Sequence, residues 1–174
     1  MTQTTFSSSR ILQPARAWHI ALSLFVAFML NLIPTAYWPV VPDWLALTLC
    51  FWSVRESRYV GMGWAFLLGL AMDVANGSLL GQHPLAYVAI SYAGAAFSRR
   101  LLWFPIPLQA LQILPILLVA QLFQAGIGFL ATSIPVGWDY FLGPCIAAVL
   151  WIPLTYLLLL PQYQPVERDE NRPI

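Results

Sequence analysis

Every basic residue of this chain is an arginine, and the eight arginines fall into four groups separated by pairs of apolar stretches. Arg10 and Arg16 precede the first stretch, Arg55 and Arg58 follow the second, Arg99 and Arg100 the fourth, and Arg168 and Arg172 the sixth. The connections in between, 39–43, 76–81 and 133–139, contain neither Arg nor Lys. Positive charge concentrates in the cytoplasmic loops of membrane proteins, so this sidedness predicts six crossings with both termini in the cytoplasm. Each crossing has to be helical, because a helix satisfies its own backbone polar groups where no water is available. The expected fold is therefore an all-α polytopic membrane protein with six transmembrane helices.

Length and composition agree with that reading. The chain is 60% hydrophobic and only 9% charged, too little charge to cover the surface of a soluble domain. Its 174 residues accommodate six crossings of about 17–25 residues and short tails, leaving no room for a soluble catalytic domain. The expected division is a cytoplasmic tail 1–17, a membrane domain 18–161 and a second cytoplasmic tail 162–174, charged and flexible. The Ser/Thr-rich start and the absence of a small-residue cleavage site after Pro34 point to an uncleaved first span. No basic patch beyond an Arg pair is present, so nucleic acid is excluded as a partner. Cys50 and Cys145 fall at different depths and read as two small packing residues, not as a disulfide.

The spans drawn from the sequence are 18–37, 40–54, 60–75, 82–97, 108–131 and 140–160. Trp18, Trp52, Tyr59, Trp103 and Tyr163 mark an inner aromatic belt, and Tyr37, Trp38, Trp44, Trp138 and Tyr140 an outer one. Spans two to four are short for a crossing, which suggests a thinned bilayer or a bundle shielded by partners. A re-entrant hairpin of spans two and three would bury Arg55, Glu56 and Arg58 near the midplane, at about 2.5–3.5 kcal/mol for each Arg on the mildest scale, and is rejected. Pro115, Pro144 and Pro153 predict kinks in the last two spans. No internal repeat of the kind found in inverted-repeat transporters is visible.

The densest information lies in the third span. Gly61, Ala65 and Gly69 recur every four residues, and the next member of that stripe is Asp73. Small residues at this spacing let helices approach closely, which substitutes for the hydrophobic drive that lipid does not provide. A tight turn with Gly77 and Gly81 follows, and Gln82, His83 and Pro84 open the fourth span. Asp73 admits three roles: a proton or ion carrier, a helix-terminal acceptor for N–H groups of the turn or of span four, or a receptor for a partner's polar group. Its position near the interface favours the acceptor. His83 could form a pH-sensitive pair with it, although a single interfacial His is more often a filler. His19 has no evident acidic partner and reads as a headgroup-level residue.

The remaining polar residues are sparse. Glu56 stands between Arg55 and Arg58 in an inner hairpin, and Arg99-Arg100 reads as a topology signal. Within the spans lie Asn31, Ser91, Gln109, Gln112, Gln121, Gln124 and Thr155, suited to hydrogen bonds between helices. There is no nucleophile–base pair, metal cluster, phosphate loop or carboxylate dyad. The sequence thus supplies no catalytic residues, no metal ligands and no cofactor site, and the chain does not read as an enzyme.

The stretch from Phe51-Trp52 to Tyr87 resembles the rod shape-determining protein MreD family. The family pattern has an aromatic-Trp pair closing a helix, then an Arg, then Phe-x-x-Gly-Leu-x-x-Asp, a short turn, and Leu-Gly followed by a His. It is matched by Phe51-Trp52, Arg58, Phe66, Gly69, Leu70, Asp73, Leu80-Gly81 and His83. Pro42-Asp43-Trp44 also looks family-like. About forty residues carry the likeness, and the six-span layout extends it over the chain. Two departures are Arg55-Glu56-Ser57, where relatives often have a Pro nearby, and Pro84, where a small residue is more usual.

What the resemblance implies is a non-enzymatic, multi-pass subunit of the cell-elongation machinery in the cell inner membrane. It would bind MreC directly and be linked through it to the peptidoglycan transpeptidase and glycosyltransferase, with the filament protein MreB on the cytoplasmic side. Partner-binding or helix-packing roles would fall on Arg58, Gly61, Ala65, Gly69, Asp73, Gly81 and His83. The six-helix layout also resembles the substrate-binding subunits of energy-coupling-factor transporters. The alternative that follows is a small-molecule-binding transport subunit, using Asn31, Gln112, Gln121 and Gln124 for the ligand and Ala17 and Ala21 to dock a coupling helix.

Overall fold

The computed structural model describes residues 15–34, 40–133 and 135–162. All regular structure among the described residues is helical: α1 (Ala17–Asn31), α2 (Trp44–Arg55), α3 (Met62–Asn76), α4 (Gln82–Trp103), α5 (Ile106–Thr132) and α6 (Leu142–Leu159). Single 3-10 turns, Trp138–Phe141 and Leu160–Gln162, flank α6. Arg10, Tyr37, Trp38, Tyr163, Arg168 and Arg172, together with most of both tails, lie outside the described residues.

The sequence of α2, Trp-Leu-Ala-Leu-Thr-Leu-Cys-Phe-Trp-Ser-Val-Arg, is apolar on nearly every face, and such a helix belongs either in a core or in lipid. Here it forms the core. Residues 45–54 are all buried, with α1, α4, α5 and α6 packed around them. The rest of the bundle is sequential: α3 lies on α4, α4 on α5 and α5 on α6. Trp52, expected in the inner aromatic belt, is instead fully buried, because α2 is enclosed by its neighbours. Its indole N–H donates to Ser23 Oγ at 2.7 Å, and its ring meets Phe51 and His19 edge-on. His19, expected at the headgroups, thus rests against the core. Trp18, Tyr59, Trp103 and Trp138 do face outward. Both cysteines are free, Cys50 buried in α2 and Cys145 exposed on α6.

Helix ends differ from the drawn spans where capping or packing decides them. Span two was drawn from residue 40, but α2 starts at Trp44 because the Asp43 side chain accepts the Ala46 N–H at 2.8 Å; this is N-capping. Conversely, α4 continues past residue 97 to Trp103, so Arg99 and Arg100 lie within the helix. Buried Leu101 and the Ser98 hydroxyl, bonded to the Val54 carbonyl, hold that extra length against α2. Basic groups at a helix C-terminus also complement its dipole. The described residues contain two stretches long and apolar enough to cross a membrane, Ile106–Thr132 and Trp138–Gln162; α1, α2 and α3 are apolar but shorter. α5 and α6 run as continuous helices through Pro115 and Pro153.

Candidate functional site

The buried residues of α3 are Ala65, Gly69, Met72 and Asp73, and the surface they meet is the start of α4. Gly69 is the point of closest approach: a Cβ there would fall 2.5 Å from both the N and Cα of Pro84. The two backbones touch, and no other residue fits at 69 without moving one of them. Pro84 lies in the first turn of α4, where an N–H would have no helical acceptor, so proline costs nothing there. Gly61 behaves differently from the rest of the stripe. It caps α3, and a side chain there would meet nothing closer than the Ser57 carbonyl at 3.9 Å.

Beyond Asp73 the chain leaves α3 through Gly77, in the left-handed region at φ 61°. Ser78 N–H bonds to the Asp73 carbonyl at 3.0 Å and Gly77 N–H to Val74 at 3.4 Å, a Schellman closure that reverses the chain. That reversal brings the opening of α4 onto the Asp73 side chain, which is fully buried. Oδ2 accepts the Gly81 N–H at 2.6 Å, and Oδ1 accepts the His83 N–H and the Ser78 hydroxyl, both at 3.0 Å. Oδ1 also meets His83 Nδ1 at 2.6 Å. A carboxylate can only accept, so Nδ1 carries the proton at this contact. The arrangement meets the need of a helix start, whose first N–H groups have no partner within the helix, and puts negative charge at the positive end of the α4 dipole.

The polar chain continues. The His83 ring meets Tyr87, one turn along α4, edge-on at 5.8 Å. Tyr87 donates its hydroxyl to Asp43 Oδ2 at 2.8 Å. Asp43 Oδ1 accepts from Asn31 Nδ2 at 2.7 Å, and Asn31 Oδ1 accepts the Trp44 N–H at 2.9 Å. Four helices are therefore tied at one end of the bundle: α1 through Asn31, α2 through Asp43, α3 through Asp73, and α4 through His83 and Tyr87. The roles of Asp43 and Tyr87 were not drawn from the sequence. The signals for them are an Asp directly before an apolar helix and a Tyr four residues after a His on one face.

Of the other sequence-derived residues, Arg58 is exposed in the turn between α2 and α3, at the opposite end of α3 from Asp73. Arg55 lies with its guanidinium 5.3 Å from the centre of the Phe51 ring. Asn31, Gln121 and Gln124 line one cavity of about 250 Å³, together with Asp43, His83 and Tyr140. Gln112 lies apart from them, in an open groove between α4 and α5. Gln109 turns back to the Phe104 carbonyl at 2.8 Å. Among the described residues, no three His, Cys, Asp or Glu side chains gather where a metal could be held.

The family model for rod shape-determining protein MreD matches residues 13–160, which takes in all six helices. The chain belongs to the MreD family. The rod shape-determining protein MreD of Haemophilus influenzae is 35% identical over 152 residues, covering 82% of this chain and 89% of that protein. No solved structure matches. Several of the residues that carry the family pattern, Gly69, Asp73, Gly81 and His83, are the ones that meet at the α3–α4 joint.

Proposed function

We propose that this protein is a non-enzymatic, six-span subunit of the cell-elongation complex in the inner membrane, with both termini in the cytoplasm. On this reading it binds MreC and through it helps to organise lateral peptidoglycan synthesis, so that cells keep a rod shape. The observation that carries the proposal is the family match across residues 13–160, since the family is one of rod-shape determinants. The joint supports it: both carboxylate oxygens of Asp73 are engaged by groups of this same chain. Such a carboxylate holds helices in place and is poorly disposed to shuttle ions. Ala65, Gly69 and Asp73 on α3 serve the contact with α4, so MreC would meet another surface of the bundle.

The test is mass spectrometry of what copurifies with the tagged protein from gently solubilised membranes. Recovery of MreC with wall-synthesis enzymes is the expected result. Recovery of a coupling subunit with ATPases would overturn the proposal in favour of a transport subunit.

A further inference from the structure

The cavity at the end of the bundle combines apolar lining, including Met72, Ile90 and Leu117, with polar groups from α1 to α5 and the turn Trp138–Phe141. Pockets that bind small molecules share this plan: apolar walls and a few placed polar atoms. At about 250 Å³ it has room for roughly eight waters at about 30 Å³ each, and so for a small molecule or one head group.

The chemistry of the lining narrows the occupant. Among the described residues no arginine lines the cavity, whereas the Asp43 carboxylate does. Asp43 accepts three hydrogen bonds, from Asn31, Ala46 and Tyr87, all of them from neutral groups. A carboxylate offers about four acceptor positions, so one remains; a charge in an apolar bundle is stabilised by a cation, and the basic side chain in the lining, His83, is turned to Asp73 and not to Asp43. A second carboxylate, Asp73, stands directly behind His83. Two glutamines on α5 supply the rest. Gln121 donates Nε2 to the Tyr140 carbonyl at 2.6 Å, and its Oε1 accepts no hydrogen bond among the described residues. Gln124 is 8% exposed; its Oε1 takes the Tyr140 hydroxyl at 2.9 Å, which leaves Nε2 as a donor without a protein partner among the described residues.

We infer that this cavity is a binding site for a small ammonium-bearing group that also carries an oxygen. The ammonium is held by Asp43 and the Gln121 carbonyl, and the oxygen by the Gln124 amide. An amino alcohol free in solution and an ethanolamine lipid head group present the same chemistry. The site does not depend on the adaptor role and stands or falls separately from it.

The experiment uses the full-length purified protein. Calorimetric titration with ethanolamine is compared with ethylene glycol, which keeps the size and removes the charge. Thermal unfolding is compared in nanodiscs of phosphatidylethanolamine and of phosphatidylcholine, whose methylated ammonium cannot donate. Binding of ethanolamine but not of the glycol identifies a free amine as ligand; stabilisation by the ethanolamine lipid alone identifies the head group. Either effect should weaken about tenfold or more in Asp43→Asn, which keeps an acceptor at the helix cap but removes the charge. Gln124→Leu should weaken it by a smaller factor, and it tests the site even if Asp43→Asn does not fold. Absence of both effects, or effects that neither substitution changes, would overturn the site.

Discussion

At Asp73 a single side chain answers for the start of a whole helix. Replacing it by alanine leaves the Gly81 and His83 N–H groups and the His83 imidazole without their acceptor in a buried place. Losing one partner of a buried pair costs about 3–5 kcal/mol. Asp73→Asn keeps one acceptor oxygen and gives up the charge, so its cost should stay near the 1.5–3 kcal/mol of a hydrogen bond to a charged group. Chemical unfolding in detergent should rank wild type above Asn and Asn above Ala; equal stability of all three would rule out the acceptor role. Tyr87→Phe provides a second test along the same chain, since it removes only the bond to Asp43 at 2.8 Å. It too should lose about 1.5–3 kcal/mol, because Asp43 is left with fewer donors around its charge. If Tyr87→Phe unfolds like wild type, Tyr87 contributes packing only.

The unit that matters between elements is the contact of α3 with α4, and it is not spread evenly along the stripe of small residues. Gly69→Ala sets a methyl group 2.5 Å from the Pro84 backbone, so the helices must separate; overpacking of this kind costs about 1–3 kcal/mol. Gly61→Ala meets only the Ser57 carbonyl at 3.9 Å and should stay within about 1 kcal/mol of wild type, mostly a cap effect. Thermal unfolding of the two variants side by side checks this, and a larger loss at 61 than at 69 would refute the contact. The four-residue spacing of Gly61, Ala65, Gly69 and Asp73 was legible because it follows from helix periodicity alone. That Gly61 drops out was not, because period says which face a residue occupies and nothing about how far the neighbouring helix extends along it. The same gap explains Trp52. An aromatic near a helix end suits an interface, and only the packing of α1 and α6 around α2 turns it into core. The bond between Asp43 and Tyr87 was not legible, because it joins residues 44 positions apart and each local signal says nothing of the other.

Across the whole molecule, element lengths constrain how such a bundle could cross a membrane. A 12-residue α2 and a 15-residue α3 measure about 18 and 22 Å at 1.5 Å per residue, less than a hydrocarbon core of about 30 Å. The 27-residue α5 measures about 40 Å. Such a bundle crosses a membrane only if its short helices stand in the middle, shielded by longer ones, or if the bilayer thins around it. The placement of α2 at the centre meets the first condition for α2, whereas α3, exposed on its outer face, needs the second; the polar ends of the short helices reach each other, as Asp43 and Asn31 do. If the arginines report sidedness correctly, the α2–α3 turn faces the cytoplasm and the α3–α4 turn the periplasm. Ser57 and Leu80 are both exposed in those turns, and buried Cys50 should not react. In a Cys145→Ser background, Leu80→Cys in intact spheroplasts should react with a membrane-impermeant maleimide, and Ser57→Cys only after the membrane is opened. Labelling of both positions from the same side would mean that α3 does not cross, and the six-span topology would have to be abandoned.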